Sequence, residues 1–236
     1  MKSILQHLKT SKKQNLAVLI DPDKFDLKNA SQFVDKVNKS MATHVFVGGS
    51  VVEKNVTEAL LLAIKPLTNL PIVLFPGDVI QVSEKADAIL FLSLVSGRNP
   101  EYLIGQQVKA VSKLRNSSLE IIPTGYILVD GKKETATQKV TKTKPLNKSQ
   151  EIVDTAKAAE LLGMQLVYLE AGSGAKQEVS DAVISAVKSE INIPLIVGGG
   201  IRSKFAIDKA FKAGANLVVI GTAFEEDESF FEEIKK

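Results

Sequence analysis

Eight short apolar runs, spread along the whole chain and separated by segments of helical periodicity, constrain the fold more than any other feature of the sequence. They are Leu16–Ile20, His44–Val47, Ile72–Phe75, Ala88–Leu92, Glu120–Pro123, Leu166–Glu170, Leu195–Val197 and Leu217–Ile220. Each is rich in Val, Ile and Leu and close to uniformly apolar, as a strand must be when both its faces are buried. Between most of them apolar residues recur at three-to-four spacing, for example Phe33, Val34 and Val37 after the first run and Val179, Val183 and Val187 after the sixth. That recurrence marks amphipathic helices, and the repeated order of strand then helix implies a parallel sheet. Eight such units predict a closed (β/α)8 barrel of the TIM type; a doubly wound open sheet is the alternative, and the strand count and glycine positions favour the barrel. The 236 residues fit one barrel domain spanning 1–236, and an apolar fraction of 44% is enough to fill its core.

Two irregularities modify that barrel. Only Pro76–Ala86 separates the third run from the next, and a crossover with a full helix needs more chain. The helix of the third unit is therefore expected to be missing or replaced. After the fifth run, by contrast, residues 130–148 form a polar insertion holding Lys132, Lys133, Lys139, Lys142, Lys144 and Lys148. The simpler reading is a mobile, solvated loop; the functional one is a lid that attracts a polyanionic substrate or an anionic membrane surface.

The composition removes several classes of chemistry. With no cysteine there is neither a disulfide nor a thiolate metal site, and His7 and His44 are too far apart in sequence to suggest a zinc motif or a Ser-His-Asp triad. A net charge of +3, with lysines not interleaved with aromatic residues, argues against a nucleic-acid partner. The first ten residues lack the apolar segment of a signal peptide, and apolar stretches such as Ala88–Leu92 are far too short to span a bilayer. A cytoplasmic protein with at most peripheral membrane contact is expected.

In such a barrel the active site is built from whatever follows each strand. Asp21-Pro-Asp-Lys24 follows the first, Gly48-Gly-Ser50 the second, Glu170-Ala-Gly-Ser-Gly174 closes and follows the sixth, Gly198-Gly-Gly-Ile-Arg202 follows the seventh, and Gly221-Thr222 the eighth. Glycines after strands seven and eight let the backbone approach an anion closely, which is where barrels commonly bind phosphate; tight strand-to-helix turns would use the same residues. By strand alternation Glu170 shares a face with Tyr168. A carboxylate beside an aromatic ring in a phosphate pocket suits a general base acting on a substrate hydroxyl, the alternative being a buried glutamate paired to a lysine or backbone amide. Asp21 and Asp23 are candidate oxygen ligands for magnesium, with Ser50 offering a hydroxyl; Asp23 is better read as starting a turn, and Asp21 as the ligand.

Taken together, Leu19-Ile-Asp-Pro-Asp-Lys24, Val47-Gly-Gly-Ser50, Pro123-Thr-Gly-Tyr-Ile-Leu128 with Lys144-Pro145, Tyr168-Leu-Glu-Ala-Gly-Ser-Gly174, Val197-Gly-Gly-Gly-Ile-Arg202 and Ile220-Gly-Thr-Ala223 resemble the geranylgeranylglyceryl phosphate synthase family over nearly the whole chain. The resemblance implies a magnesium-dependent prenyltransferase that joins a prenyl diphosphate, geranylgeranyl being the expected donor, to the C3 hydroxyl of sn-glycerol 1-phosphate. The products are an ether-lipid precursor and diphosphate. It further implies that Asp21 and Ser50 hold Mg2+, and that Tyr168, Leu169, Glu170, Ala171, Gly172, Ser173, Gly174, Gly199, Gly200, Gly221 and Thr222 bind glycerol phosphate. Glu170 is then the base, with Tyr168 beside it, and the chain a homo-oligomer, either dimer or hexamer. Leu19 stands where part of the family has a lysine, so a phosphate contact from that position is not expected. Phe75, Phe91, Leu94 and Tyr126 are candidates to line a groove for the prenyl chain, or else ordinary core. The rival readings are a phosphosugar isomerase or lyase, and a non-catalytic barrel that binds a phosphometabolite.

Overall fold

A computed structural model describes residues 3–11 and 13–235; Met1, Lys2, Lys12 and Lys236, the ends of the expected 1–236 domain among them, lie outside the described residues. The strands are β1 (Asn15–Ile20), β2 (His44–Val47), β3 (Ile72–Leu74), β4 (Ala88–Leu94), β5 (Glu120–Leu128), β6 (Leu166–Glu170), β7 (Leu195–Gly198) and β8 (Leu217–Ile220). Each pairs in parallel with the next, and β1 pairs with β8, so the sheet closes in sequential order. The α-helices are α1 (Ile4–Thr10), α2 (Ala30–Lys39), α3 (Val56–Ile64), α4 (Gln106–Leu114), α5 (Ala136–Thr141), α6 (Ser149–Leu161), α7 (Asp181–Glu190), α8 (Lys204–Lys212), α9 (Thr222–Glu226) and α10 (Phe230–Glu233). Among the described residues no helix is long and apolar enough to cross a membrane.

Period-two alternation sorts the strand side chains into two cores. Ala17, Phe46, Val73, Leu90, Ile122, Leu166, Tyr168, Ile196 and Leu217 fill the barrel interior. Val18, Val45, Ile89, Val167, Leu169, Val197 and Val218 pack outwards against the helices. Helix α1 precedes the first strand and plugs the N-terminal end, with Ile4 and Leu8 joining the interior cluster. Its exposed amide groups are met by Glu120, whose carboxylate accepts from Ser3 Oγ at 2.6 Å, Ile4 N at 2.6 Å and Leu5 N at 3.0 Å.

The third βα unit has no α-helix: a single 3-10 turn, Val79–Gln81, connects β3 to β4. Some expectations need correction. Strand β5 does not stop at Pro123 but runs on to Leu128, because its ladder with β4 continues from Ala88↔Glu120 to Leu94↔Tyr126 and outweighs the local breakers. Gly125 is required there by packing, since a Cβ would lie 2.7 Å from that of Ala159 in α6. Helix α7 begins after Val179, because the Ser180 side chain accepts from Val183 N and caps it. Val179 is buried but lies outside the helix.

The insertion leaves and rejoins the barrel at one place. Val129 bridges to Leu146, Asp130 N donates to Leu146 O at 2.9 Å, and Leu146 N donates to Leu128 O at 2.9 Å. Within it α5 starts on a capping box, with Thr135 and Gln138 each bonding the other's backbone.

Candidate active site

The C-terminal end of the barrel opens into a cavity of about 320 Å³ that reaches from the first-strand loop to the β8 loop. Alternation in β6 turns Tyr168 and Glu170 into it and Leu169 away. Around Tyr168 three rings form one cluster: Phe75 stacks on it at 5.0 Å between centroids and 17°, and Tyr126 meets it edge-on at 5.4 Å and 88°. The Tyr168 hydroxyl is fully buried and makes no well-formed hydrogen bond among the described residues.

Glu170 is 6% exposed, and its Oε1 accepts from Gly172 N at 2.7 Å. Burial pushes its carboxyl up to about 7, against the opposing pull of the Gly172 N–H and the nearby Tyr168 hydroxyl. The group is thus poised between acid and base at neutral pH. Burial and the charge of Glu170 raise both Tyr126 and Tyr168 well above the usual phenol range, so both hydroxyls stay protonated. Glycine is needed beside this carboxylate: a Cβ on Gly199 would lie 2.3 Å from Glu170 Oε1, and the residue also has φ 84°.

The glycine-rich loops converge next to Glu170. Thr222 Oγ1 lies 3.2 Å from Ser173 Oγ and accepts from Gly174 N at 3.1 Å, joining the β6 and β8 loops. Ser173, Gly199, Gly200, Gly221 and Thr222 all line the cavity. Of the other expected site residues, Leu169 points into the outer core, Ala171 N donates to Gly198 O, and Gly172 serves Glu170. Leu169, Ala171, Gly172 and Gly174 do not line the cavity and support it from behind.

Asp21, Asp23, Lys24 and Ser50, from the loops after β1 and β2, also line the cavity. Lys24 Nζ lies 3.2 Å from Asp21 and 3.2 Å from Glu225, tying the first loop to α9. Asp23 does not start the turn as expected: Asp21 does, its Oδ1 accepting from Asp23 N at 3.3 Å, while Asp23 accepts from Glu53 N at 3.1 Å and ties the first loop to the β2 loop. Ser50 Oγ lies 2.7 Å from Thr137 Oγ1 in α5. The expected magnesium residues suit that ion: Asp21 and Ser50 offer hard oxygen donors on one cavity wall, and magnesium takes only one or two carboxylates with waters and substrate phosphates completing its shell. Among the described residues no cluster of three His, Cys, Asp or Glu forms, so the protein builds no cage of its own.

The cavity extends as an apolar channel beside the shortened third unit, lined by Phe75, Leu92, Leu94, Tyr102 and Tyr126. Phe91 is not part of it; strand alternation places it in the outer core and Leu92 in its stead. Sequence reading also missed Thr137, Val140 and Thr141 of α5, and Gln106 and Gln107 at the start of α4. The capping-box spacing Thr135-x-x-Gln138 is a usable signal for α5. No comparable signal marks the π-helical turn Glu101–Gly105 that sets the phase of α4.

Comparison with known proteins agrees with this geometry. Residues 9–236 match the model of the PcrB family. A geranylgeranylglyceryl phosphate synthase of Zunongwangia profunda is 57% identical over 94% of this chain and 96% of its own, and one of Flavobacterium johnsoniae is 54% identical over 92% and 90%. Among solved structures, (S)-3-O-geranylgeranylglyceryl phosphate synthase of Thermoplasma acidophilum, in complex with its substrate sn-glycerol-1-phosphate, superposes with a TM-score of 0.92 at 33% identity, covering 99% of this chain and 96% of that one. By sequence and fold, the chain belongs to the PcrB family of geranylgeranylglyceryl phosphate synthases.

Proposed function

We propose that the protein transfers a prenyl group, geranylgeranyl in the first instance, from its diphosphate to the C3 hydroxyl of sn-glycerol 1-phosphate. The observation that carries this reading is the buried Glu170, held near neutrality between a phosphate-type glycine pocket and an apolar channel. The acceptor's phosphate docks on the loops carrying Ser173, Gly199, Gly200, Gly221 and Thr222, which leaves its far hydroxyl facing Glu170. Glu170 takes the hydroxyl proton as the oxygen bonds to C1 of the donor. The C1–O bond to diphosphate breaks, and its electron pair leaves with the diphosphate. Positive charge developing at the allylic carbon is met by the aromatic Phe75–Tyr126–Tyr168 cluster. Asp21 and Ser50 would hold magnesium, which would supply neutralisation of the departing diphosphate.

Incubation of the protein with labelled glycerol 1-phosphate and prenyl diphosphates of several lengths tests the assignment. Label extractable into organic solvent is expected with geranylgeranyl diphosphate; no extractable label with any donor overturns the reading.

The chain also presents exposed apolar residues at helical spacing in and just before α4, Ile104, Val108 and Val111. This supports self-association through α4, as a dimer or a larger assembly. Val108→Asp is expected to lower the sedimenting mass.

A further inference from the structure

The 3-10 turn that replaces a helix after β3 carries a residue that the reaction described above does not use. Gln81 is 1% exposed and stands between that turn and the β2 loop. Its Nε2 donates to Gly49 O at 2.8 Å, and its Oε1 accepts from Gly49 N at 3.2 Å. One side-chain amide thereby satisfies both backbone groups of Gly49, as a neighbouring strand would have done had β2 continued past Val47.

Gly49 is in turn pressed against the expected metal ligand. A Cβ on Gly49 would lie 2.7 Å from Asp21 Oδ1, and Ser50 is the next residue. The loop has little freedom on its other side, because a Cβ on Gly77 would meet Gly49 O at 2.5 Å and Ser50 O at 2.9 Å. The platform from which Gln81 reaches is itself fixed. Asp78 accepts from Ile80 N at 2.9 Å, and Val79 N donates to Gln106 Oε1 of α4 at 3.1 Å. A chain of fixed groups therefore runs from α4 through the turn and the Gln81 amide to Gly49, Asp21 and Ser50. An apolar side chain of similar length would fill the same volume. A buried amide is costly unless both its ends are bonded, and here both are bonded to one residue.

We propose that Gln81 is a positioning residue for the metal-diphosphate half of the site, setting the separation of the Asp21 carboxylate and the Ser50 hydroxyl without touching substrate. The inference rests on the reading that Asp21 and Ser50 hold magnesium for the donor diphosphate. It gives the shortened third unit a second role: besides opening the channel, the turn brings a side-chain amide to a loop that a regular helix would leave unsupported.

The test uses the full chain, with Mn2+ as the probe metal in the presence of inorganic diphosphate, and follows free Mn2+ by electron paramagnetic resonance. Gln81→Met removes both hydrogen bonds at nearly constant volume and is expected to weaken Mn2+ binding about 10- to 100-fold, as loss of a group that orients metal ligands does. Calorimetric affinity for sn-glycerol 1-phosphate should be unchanged. Gln81→Asn, one methylene too short to span both contacts, should give the same selective loss, and it carries the test if the Met variant does not fold. Ile80→Ala trims an exposed side chain on the same turn, leaving the backbone bond to Asp78 and the Gln81 amide in place, and should leave both affinities as in the wild type. Unchanged Mn2+ affinity in the Gln81 variants, parallel loss of glycerol-phosphate binding, or an equal effect of Ile80→Ala each overturn the inference. Asp21→Asn separates the two levels of the argument. If it leaves Mn2+ binding intact, the metal reading itself falls and takes the role of Gln81 with it; if it abolishes binding while the Gln81 variants do not weaken it, only the role of Gln81 falls.

Discussion

The two ends of the barrel are built from the same eight strands and treat polar groups in opposite ways. At the N-terminal end Glu120 and Asn15 are paired, and burial keeps the His44 imidazole neutral by lowering its pKa to about 4. Glu120 accepts three hydrogen bonds from the start of α1, and Asn15 donates to Lys13 O and Asn216 O while its Oδ1 bonds to His7 Nε2. At the C-terminal end Gln107 Oε1 is buried without a partner among the described residues, the Tyr168 hydroxyl has only the nearby Glu170, and Glu170 carries a carboxyl whose charge burial disfavours. Buried polar groups left unsatisfied are rare because each costs free energy, and where they gather they indicate a site awaiting a ligand. One end is organised for stability, the other holds stability back for chemistry.

The strongest way to break that contrast is at Glu170. Glu170→Gln should lower turnover about 10²- to 10⁴-fold, the usual worth of a general base, while calorimetry still shows glycerol phosphate binding; full turnover in this variant removes the base from the mechanism. In the wild type, kcat/KM should fall about tenfold per pH unit on the acidic side of a bend near 7, since only the carboxylate accepts a proton. A bend that survives Glu170→Gln unchanged belongs to another group.

Stability should respond in the reverse sense. The folded-state pKa of Glu170 lies above the unfolded value, so its proton is bound more tightly in the native state, and its contribution is greatest below about pH 4.5 and lost as pH rises through about 7. Thermal melting should therefore show Glu170→Gln gaining on the wild type by a few kcal/mol at most at pH 8, with the gap closing towards pH 5. At the other end, Glu120→Ala should cost about 2 kcal/mol, or about 4–8 °C in melting temperature, with turnover at moderate temperature unchanged. A catalytic defect in that variant would blur the division between the two ends.

The sequence makes the barrel legible because parallel strands buried on both faces write themselves as apolar runs, and the eleven residues of Pro76–Ala86 are too few for a helix. Asp21, Ser50, Glu170 and the glycine turns are legible because they stand immediately after those runs, where strand geometry fixes the direction of a side chain. What is lost is whatever depends on packing between units. The ladder with β4 carries β5 through Pro123 and Gly125, residues that locally read as a stop. Phe91 and Leu92 are both apolar, and only the register of β4 decides which one faces the channel. Gln81 and Gln107 look like ordinary polar residues in the sequence, and their burial follows from a 3-10 turn and a π-helical turn whose phases no periodicity predicts.

Closure of β1 on β8 also governs how the molecule is made. Val18 pairs with Ile220, so the last seam joins segments about two hundred residues apart. At a synthesis rate of about 5–20 residues per second, the first strand waits on the order of 10–40 s for its partner to leave the ribosome. Throughout that interval the nascent chain is an open sheet with a bare, apolar edge at β1. Exposure of that edge during synthesis is a route to aggregation that equilibrium stability does not measure.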